Sequence, residues 1–471
     1  MMRNFVSVIT RHWIGLLGAV IALVAMVMML TLVVIQMTGF RGGAYLGIVT
    51  YMLLPMLLAL GLVLIPIGVL RKRKIDAAAV AHHQPVAPGL PIIDLNNERT
   101  RGLVMASVLV GLVSMVVLAG ATYKGVHVME SVAFCGTVCH TVMEPEHTAF
   151  QRSSHSKLAC ADCHIGAGAD WFVKSKISGS WQLVSVALNL YPTPIPSPVH
   201  NLRPARDTCE QCHWPTRHVG DTLKVRNQFA EDEANSQTKT VLLMKVGGQQ
   251  GAKSTGIHWH VDRGVQIRYQ SDPSRQNIYD VEMTSADGKV RTFKTRDQPT
   301  VALDWRAMDC VDCHNRPSHT FKLPSPEINS ALDDGRIDKT LPFIKREGMR
   351  VLAEGKYGSK EEARAGIGSE IDGFYKAKYA ELSTAKATQI AAASSALGDI
   401  YSWNVFPKMK VTWGTYKSNL GHADDAPGCF RCHDKKHVDE AGQKISGSCN
   451  ICHAVLADDE KDPEILKTLK P

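Results

Sequence analysis

Twelve cysteines carry most of the chemistry this chain can do. They fall into six pairs, Cys135/Cys139, Cys160/Cys163, Cys209/Cys212, Cys310/Cys313, Cys429/Cys432 and Cys449/Cys452, with none left over. A histidine follows each second cysteine directly: His140, His164, His213, His314, His433 and His453. Two thiols so spaced can add across the two vinyl groups of haem, and the next residue places an imidazole under the iron. Repeated C-x-x-C pairs also build zinc sites, but zinc does not require histidine directly after the second cysteine. Histidine is 19 of 471 residues, so six such placements are not chance. The reading is six covalently attached c-type haems. Five motifs are C-x-x-C-H, and the first, Cys135-Gly-Thr-Val-Cys139-His140, has one extra residue.

An electron-transfer haem usually has both axial positions filled; a second histidine suits low potential and a methionine raises it. The candidates outside the motifs and the cytoplasmic side are His127, His147, His155, His200, His218, His258, His260, His319, His422 and His437. His218, His319 and His437 follow motifs so closely that they cannot easily reach the far face of their own haem, and a neighbouring haem is the natural target. His155 and His422, each shortly before a motif, are equal candidates. His258-Trp-His260 reads as part of a strand, with both histidines on one face. One of them is a candidate ligand, and a hydrogen-bonded core position is the equal alternative. Met143 is a candidate for the first iron, the alternative being packing on the porphyrin.

These motifs must be held outside a membrane. Apolar stretches from about Trp13 to Gln36, about Ala44 to Leu70 and about Leu103 to Tyr123 are each long enough to span a bilayer, which takes roughly 20 residues. Pro55 and Pro66 are expected to kink the second. The first is too long for a signal peptide and has no small-residue cleavage site after it. Arg3 and Arg11, Arg71-Lys72-Arg73-Lys74, and Arg99 and Arg101 flank the spans on one side, whereas the loop between the first two spans carries only Arg41. The positive-inside rule then puts 71–102 in the cytoplasm and everything after Tyr123 outside, the side that c-type haem attachment also implies. The same clustering accounts for the net charge of +8 without nucleic acid. His82 and His83, beside Pro85–Pro91, read as solvated linker residues.

The predicted fold is a multihaem cytochrome c, mostly α and irregular, with a small β-rich insertion and three N-terminal transmembrane helices. Its pieces are a hairpin of spans at 1–70, a linker at 71–102 and a third span at 103–123. Haems 1–3 follow at 124–220, with little regular structure beyond a helix near Asp170–Leu190. The β-rich insertion covers 221–300, where Val265–Tyr269 alternates and Val281–Phe293 reads as a hairpin turning at Asp287-Gly288. Haem 4 lies in 301–322, a charged helical segment covers 323–402, and haems 5 and 6 occupy 403–471.

Four stretches resemble one family. Phe134-Cys-Gly-Thr-Val-Cys-His-Thr-Val-Met-Glu-Pro-Glu-His147, then Ser154-His155, then Cys160-Ala-Asp-Cys-His-Ile-Gly166, are similar to the start of NapC/NirT/NrfH proteins. Cys310-Val-Asp-Cys-His-Asn-Arg-Pro-Ser-His319 is similar to that family's fourth motif. The likeness covers roughly Thr122–Lys322. It implies a quinol dehydrogenase of the bacterial inner membrane, with Met143 matching the methionine ligand of the first haem. It also implies that His155 reaches the haem on Cys310/Cys313 and that His319 reaches the haem on Cys160/Cys163. The family's quinol-pocket lysine falls in Asp170-Trp-Phe-Val-Lys-Ser-Lys176, as Lys174 or Lys176, while its carboxylate has no clear counterpart. Contact of both lysines with lipid phosphates is the plainer alternative. Three spans instead of one, the C-x-x-x-C-H motif, the β-rich insertion and two extra C-terminal haems depart from the usual pattern, and the last two features resemble larger NapC-like cytochromes.

The expected function is oxidation of a membrane quinol, menaquinol or ubiquinol, with electrons passed through the haems to a periplasmic acceptor such as a soluble cytochrome or reductase. A multihaem reductase acting on a small oxyanion is the alternative. It needs an iron with an open position, often signalled by a motif ending in lysine, and all six motifs here end in histidine.

Overall fold

A computed structural model describes residues 12–37, 49–81, 95–138, 140–165, 169–199, 203–214, 220–250, 253–262, 264–300, 302–422 and 426–468. The chain divides into two units, Met1–Val138 and Cys139–Pro471.

Three helices in the first unit are long and apolar enough to cross a membrane. They are Trp13–Met37, Leu54–Ala81 (entered through a π-helical turn, Val49–Leu53) and Glu98–Glu130. The first two pack through small residues. A Cβ added at Gly18 would stand 2.7 Å from the Gly61 carbonyl oxygen, and one at Gly61 2.6 Å from the Ala22 amide nitrogen. Such close backbone approach is how apolar helices gain van der Waals contact where lipid offers no hydrophobic advantage. Pro66 lies inside the second helix, while Pro55 stands at its start, where a missing N–H costs little. Asn97 caps the third helix by accepting from the Arg99 amide at 3.0 Å. Ser131 ends it and starts the short helix Val132–Thr137, which carries Cys135.

The second unit is more regular than expected before residue 220. Besides Ala169–Ala187, it has a helix His140–Gln151, which accommodates Pro145 internally. The insertion is β-rich as the alternation indicates. β1 (Thr222–Phe229), β2 (Gln237–Met244) and β9 (His453–Glu460) form one antiparallel sheet. β5 (Gln266–Ser271), β6 (Ile278–Thr284), β7 (Val290–Lys294) and β8 (Arg306–Ala307) form another in the order β7-β6-β5-β8. β3 (Gly248–Gln250) pairs with β4 (Lys253–Thr255). The β6–β7 turn falls at Asp287-Gly288, with Gly288 at φ 79°.

His258-Trp-His260 is not a strand. It lies in a 3₁₀ turn, Ile257–Val261, entered through Gly256 at φ 73°. Short apolar-polar alternation does not separate a strand from one such turn, and here the preceding glycine breaks the ladder.

The largest apolar core belongs to the helical block. Ile328, Ile344, Leu352, Ile367, Ile371, Tyr375, Leu397 and Ile400 are all buried in it. Asn235, in the β1–β2 turn, donates to the carbonyls of Lys339 (3.0 Å) and Leu341 (2.8 Å) and accepts from the Lys345 amide (2.9 Å). Arg152 donates to both carboxylate oxygens of buried Glu327 at 2.7 and 3.0 Å, tying His140–Gln151 to the same block.

Candidate haem centres

Motifs 2 to 6 each use one helical turn to bring two cysteines and a histidine together. The His213 and His314 amides donate to the carbonyls of Cys209 and Cys310, both at 2.8 Å, and the His433 amide to that of Cys429 at 3.1 Å. The fourth turn is the most firmly fixed. The Asp309 carboxylate accepts from the Cys310 amide at 2.6 Å, and Asp312 accepts in return from the Asp309 amide at 2.7 Å. Asp309 also accepts from the Ala205 amide at 2.9 Å, joining the third motif's helix to the fourth motif. Asp312 is buried under Tyr269 (2.6 Å) and Arg306 (3.1 Å), a support that no sequence signal indicated.

Motifs 2 to 6 are neighbours in chain order. Burial raises the Cys163 thiol, and negative charge at Cys209 and Cys212 adds to this. Cys209 and Cys310 share a hydrogen bond that raises Cys310. Burial pushes Cys313 up to about 11, with Cys429 contributing next, and Cys452 is raised by burial and then by Cys429. No disulfide joins any of the described cysteines.

Five motif histidines each face a second histidine. Ring centres are 6.1 Å apart for His164 and His319, 6.0 Å for His213 and His155, and 6.5 Å for His314 and His258. They are 5.8 Å apart for His433 and His260 and 6.2 Å for His453 and His422. A metal–imidazole bond of about 2 Å on each side, plus each ring's half-width, sets two such centres roughly 6 Å apart. The residues therefore fit an iron held between paired imidazoles. Several rings are also oriented from behind, as ligating imidazoles usually are. His319 Nδ1 meets the Glu146 carbonyl at 3.0 Å, His260 Nδ1 that of Ile257 at 2.7 Å, and His433 Nδ1 that of Ser446 at 2.6 Å. Burial holds His164, His260 and His314 below the usual imidazole range, toward the neutral form that binds metal.

The expected partners differ in detail. His155 faces His213 of the third motif and not His314 of the fourth. His437 is fully buried with both ring nitrogens on protein oxygens, Asp434 Oδ1 at 2.9 Å and the Ile278 carbonyl at 3.2 Å, so neither is turned to a motif histidine. His258 and His260, read from sequence as at most one ligand, both meet motif histidines. His147 contacts Gln151, and His127 packs edge-on to Tyr123. Cys139, His200 and His218 lie outside the described residues, as does the His140 side chain. Met143 is half-buried on His140–Gln151.

Lys174 is exposed, its ammonium 4.6 Å from the centre of the Trp171 ring, and Lys176 is half-buried. Leu183 is exposed on their helix, and so, on another side of it, are Ile177, Trp181 and Val184, the first two at 68% and 62%. The spacing of these three forms one stripe. Trp171 is itself half-buried, and the Phe172 and Val173 side chains lie outside the described residues.

Residues 97–194 match the N-terminal region of the NapC/NirT cytochrome c family. The chain is 38% identical over 450 residues to the cytochrome c-type protein ImcH of Geobacter sulfurreducens, covering 94% of this chain and 87% of that protein. No solved structure matches.

Proposed function

Since the chain belongs to the NapC/NirT-type multihaem c-type cytochromes, we propose that it oxidises a membrane quinol and delivers the electrons to a periplasmic acceptor. Haem c, which that family membership implies, supplies one-electron redox chemistry when bound. The reading puts one haem on each of the six cysteine pairs. His164 with His319, His213 with His155, and His453 with His422 are the imidazole pairs that would hold those irons. His140 and Met143, three residues apart in the sequence, are alternative ligands for the first iron.

The observation that carries the reading is the run of paired imidazoles on motifs that neighbour one another in chain order. Such a run suits relay of electrons over a distance. The oxyanion-reductase alternative needs an open iron position, whereas the histidines of motifs 2 to 6 each face a second imidazole.

Quinol must release two protons with its two electrons. Lys174 and Lys176 are the residues proposed to hydrogen-bond the quinone oxygens and stabilise negative charge as protons leave. Menaquinol and ubiquinol both fit this role. The loop charges favour an inner-membrane protein whose haem-bearing unit faces the periplasm.

The test is reduction of the purified protein by a menaquinol analogue. Quinol should reduce the haems, and a quinol-site inhibitor should abolish that reduction while dithionite still reduces them. Absence of quinol reduction in dithionite-competent protein contradicts the proposal.

A further inference from the structure

We infer that a single 3₁₀ turn, Ile257–Val261, supplies axial ligands to two different haems: His258 to the one on Cys310/Cys313 and His260 to the one on Cys429/Cys432. The inference rests on haem occupying those cysteine pairs, and adds that the β-rich insertion is itself part of the haem-binding apparatus.

The turn's geometry makes the split possible. With three residues per turn, positions two apart on a 3₁₀ helix point in well-separated directions, so neighbouring histidines need not compete for one iron. The two rings accordingly meet different motif histidines. His258 lies 6.5 Å from His314 with ring planes 20° apart, and His260 lies 5.8 Å from His433 with planes 79° apart. Both separations match an iron bonded on each side. His260 is further committed by its Nδ1 on the Ile257 carbonyl at 2.7 Å, which leaves Nε2 facing His433. The two motifs served are themselves adjacent, since the Arg431 guanidinium of the fifth donates to the Asp312 carbonyl of the fourth.

The turn is also held rigidly. The Ile257 amide donates to the Lys245 carbonyl at 2.9 Å, the His258 amide to that of Val246 at 3.2 Å, and Arg206 to that of Val261. A Cβ at Gly256 would stand 2.6 Å from the Gly247 Cα, so the backbone before the turn is pressed against the strand connection behind it. Trp259, between the histidines, packs on the core of the four-stranded sheet with Tyr269 and Phe293. A rigid anchor of this kind is what a bridge between two irons requires.

The experiment uses the full-length holoprotein, titrated with dithionite in the absence of quinol, so a failed quinol assay leaves this result independent. Methionine keeps an iron-binding side chain and raises the potential of the haem it ligates. His258→Met and His260→Met should each move one haem equivalent to higher potential. The double variant should move two, and Trp259→Phe, which changes packing alone, should move none. Should the methionine variants lose haem, His258→Gly and His260→Gly should each show one high-spin haem that returns to low spin with added imidazole. A double variant that moves only one equivalent, or variants that leave every haem unchanged and low-spin, would overturn the inference.

Discussion

A buried lysine with no carboxylate in hydrogen-bond reach among the described residues shows how a single residue sets the pH dependence of stability in the second unit. Lys345 is 2% exposed, and its ammonium donates to the carbonyl and hydroxyl of Ser325 at 2.9 and 3.0 Å. Burial lowers it to about 8, against a smaller opposing influence from Glu231. A base whose folded value lies below its unfolded value binds fewer protons folded than unfolded between the two, so stability rises with pH across that window. Below about pH 8 the penalty is fully present, and it is relieved as pH climbs toward the ordinary lysine range. Denaturant midpoints measured at pH 7.5 and pH 9.5 should therefore rise less in Lys345→Met than in the unsubstituted protein. Equal changes in the two proteins would show that Lys345 does not carry the effect. At this scale the sequence was legible where chemistry fixes spacing, as in Cys-x-x-Cys-His. It was silent where partners are distant along the chain. His155 and His213, or His422 and His453, are brought together only by folding, and no local pattern at His437 shows that Asp434 and Ile278 occupy both its nitrogens.

Elements show the same division. Hydropathy located the three long helices but ended two of them early. Leu54–Ala81 continues through Arg71–Lys74, helped by the Lys72–Asp76 ion pair at 2.8 Å, and Glu98–Glu130 runs seven residues beyond Tyr123. Apolarity marks what lipid accepts, while the helix continues wherever backbone bonds and good helix formers allow. Strand β9 escaped notice because its partner β2 lies some two hundred residues earlier in the chain, and pairing at Met244↔His453 joins the last motif to the insertion. The helix Ala169–Ala187 lies close to the expected Asp170–Leu190, and Ile177, Trp181 and Val184 form an exposed apolar stripe on it. Lys174 and Lys176 precede that stripe on the same helix. Losing a charged hydrogen bond to a reacting group costs about 1.5–3 kcal/mol, about tenfold or more in rate. Replacing both lysines with methionine should slow quinol reduction by that factor and leave dithionite reduction intact. An unchanged quinol rate would move the entry point away from this helix.

The whole molecule joins a unit of apolar helices to a unit in which helices and small antiparallel sheets gather the later motifs. The helical block 324–404 carries no motif, and its dense core reads as scaffold, fastened to the haem-bearing segments through Arg152–Glu327 and Asn235. The proposal that electrons enter from quinol and run through six haems depends on each cysteine pair being occupied, including the pair with the longer spacing, Cys135/Cys139. The mass of the intact chain, measured after thiol alkylation, decides this most directly. The account predicts the polypeptide plus six haems with no alkylated cysteine. Five haems with two alkylated cysteines, mapped to Cys135 and Cys139, would contradict it and remove the proposed point of electron entry.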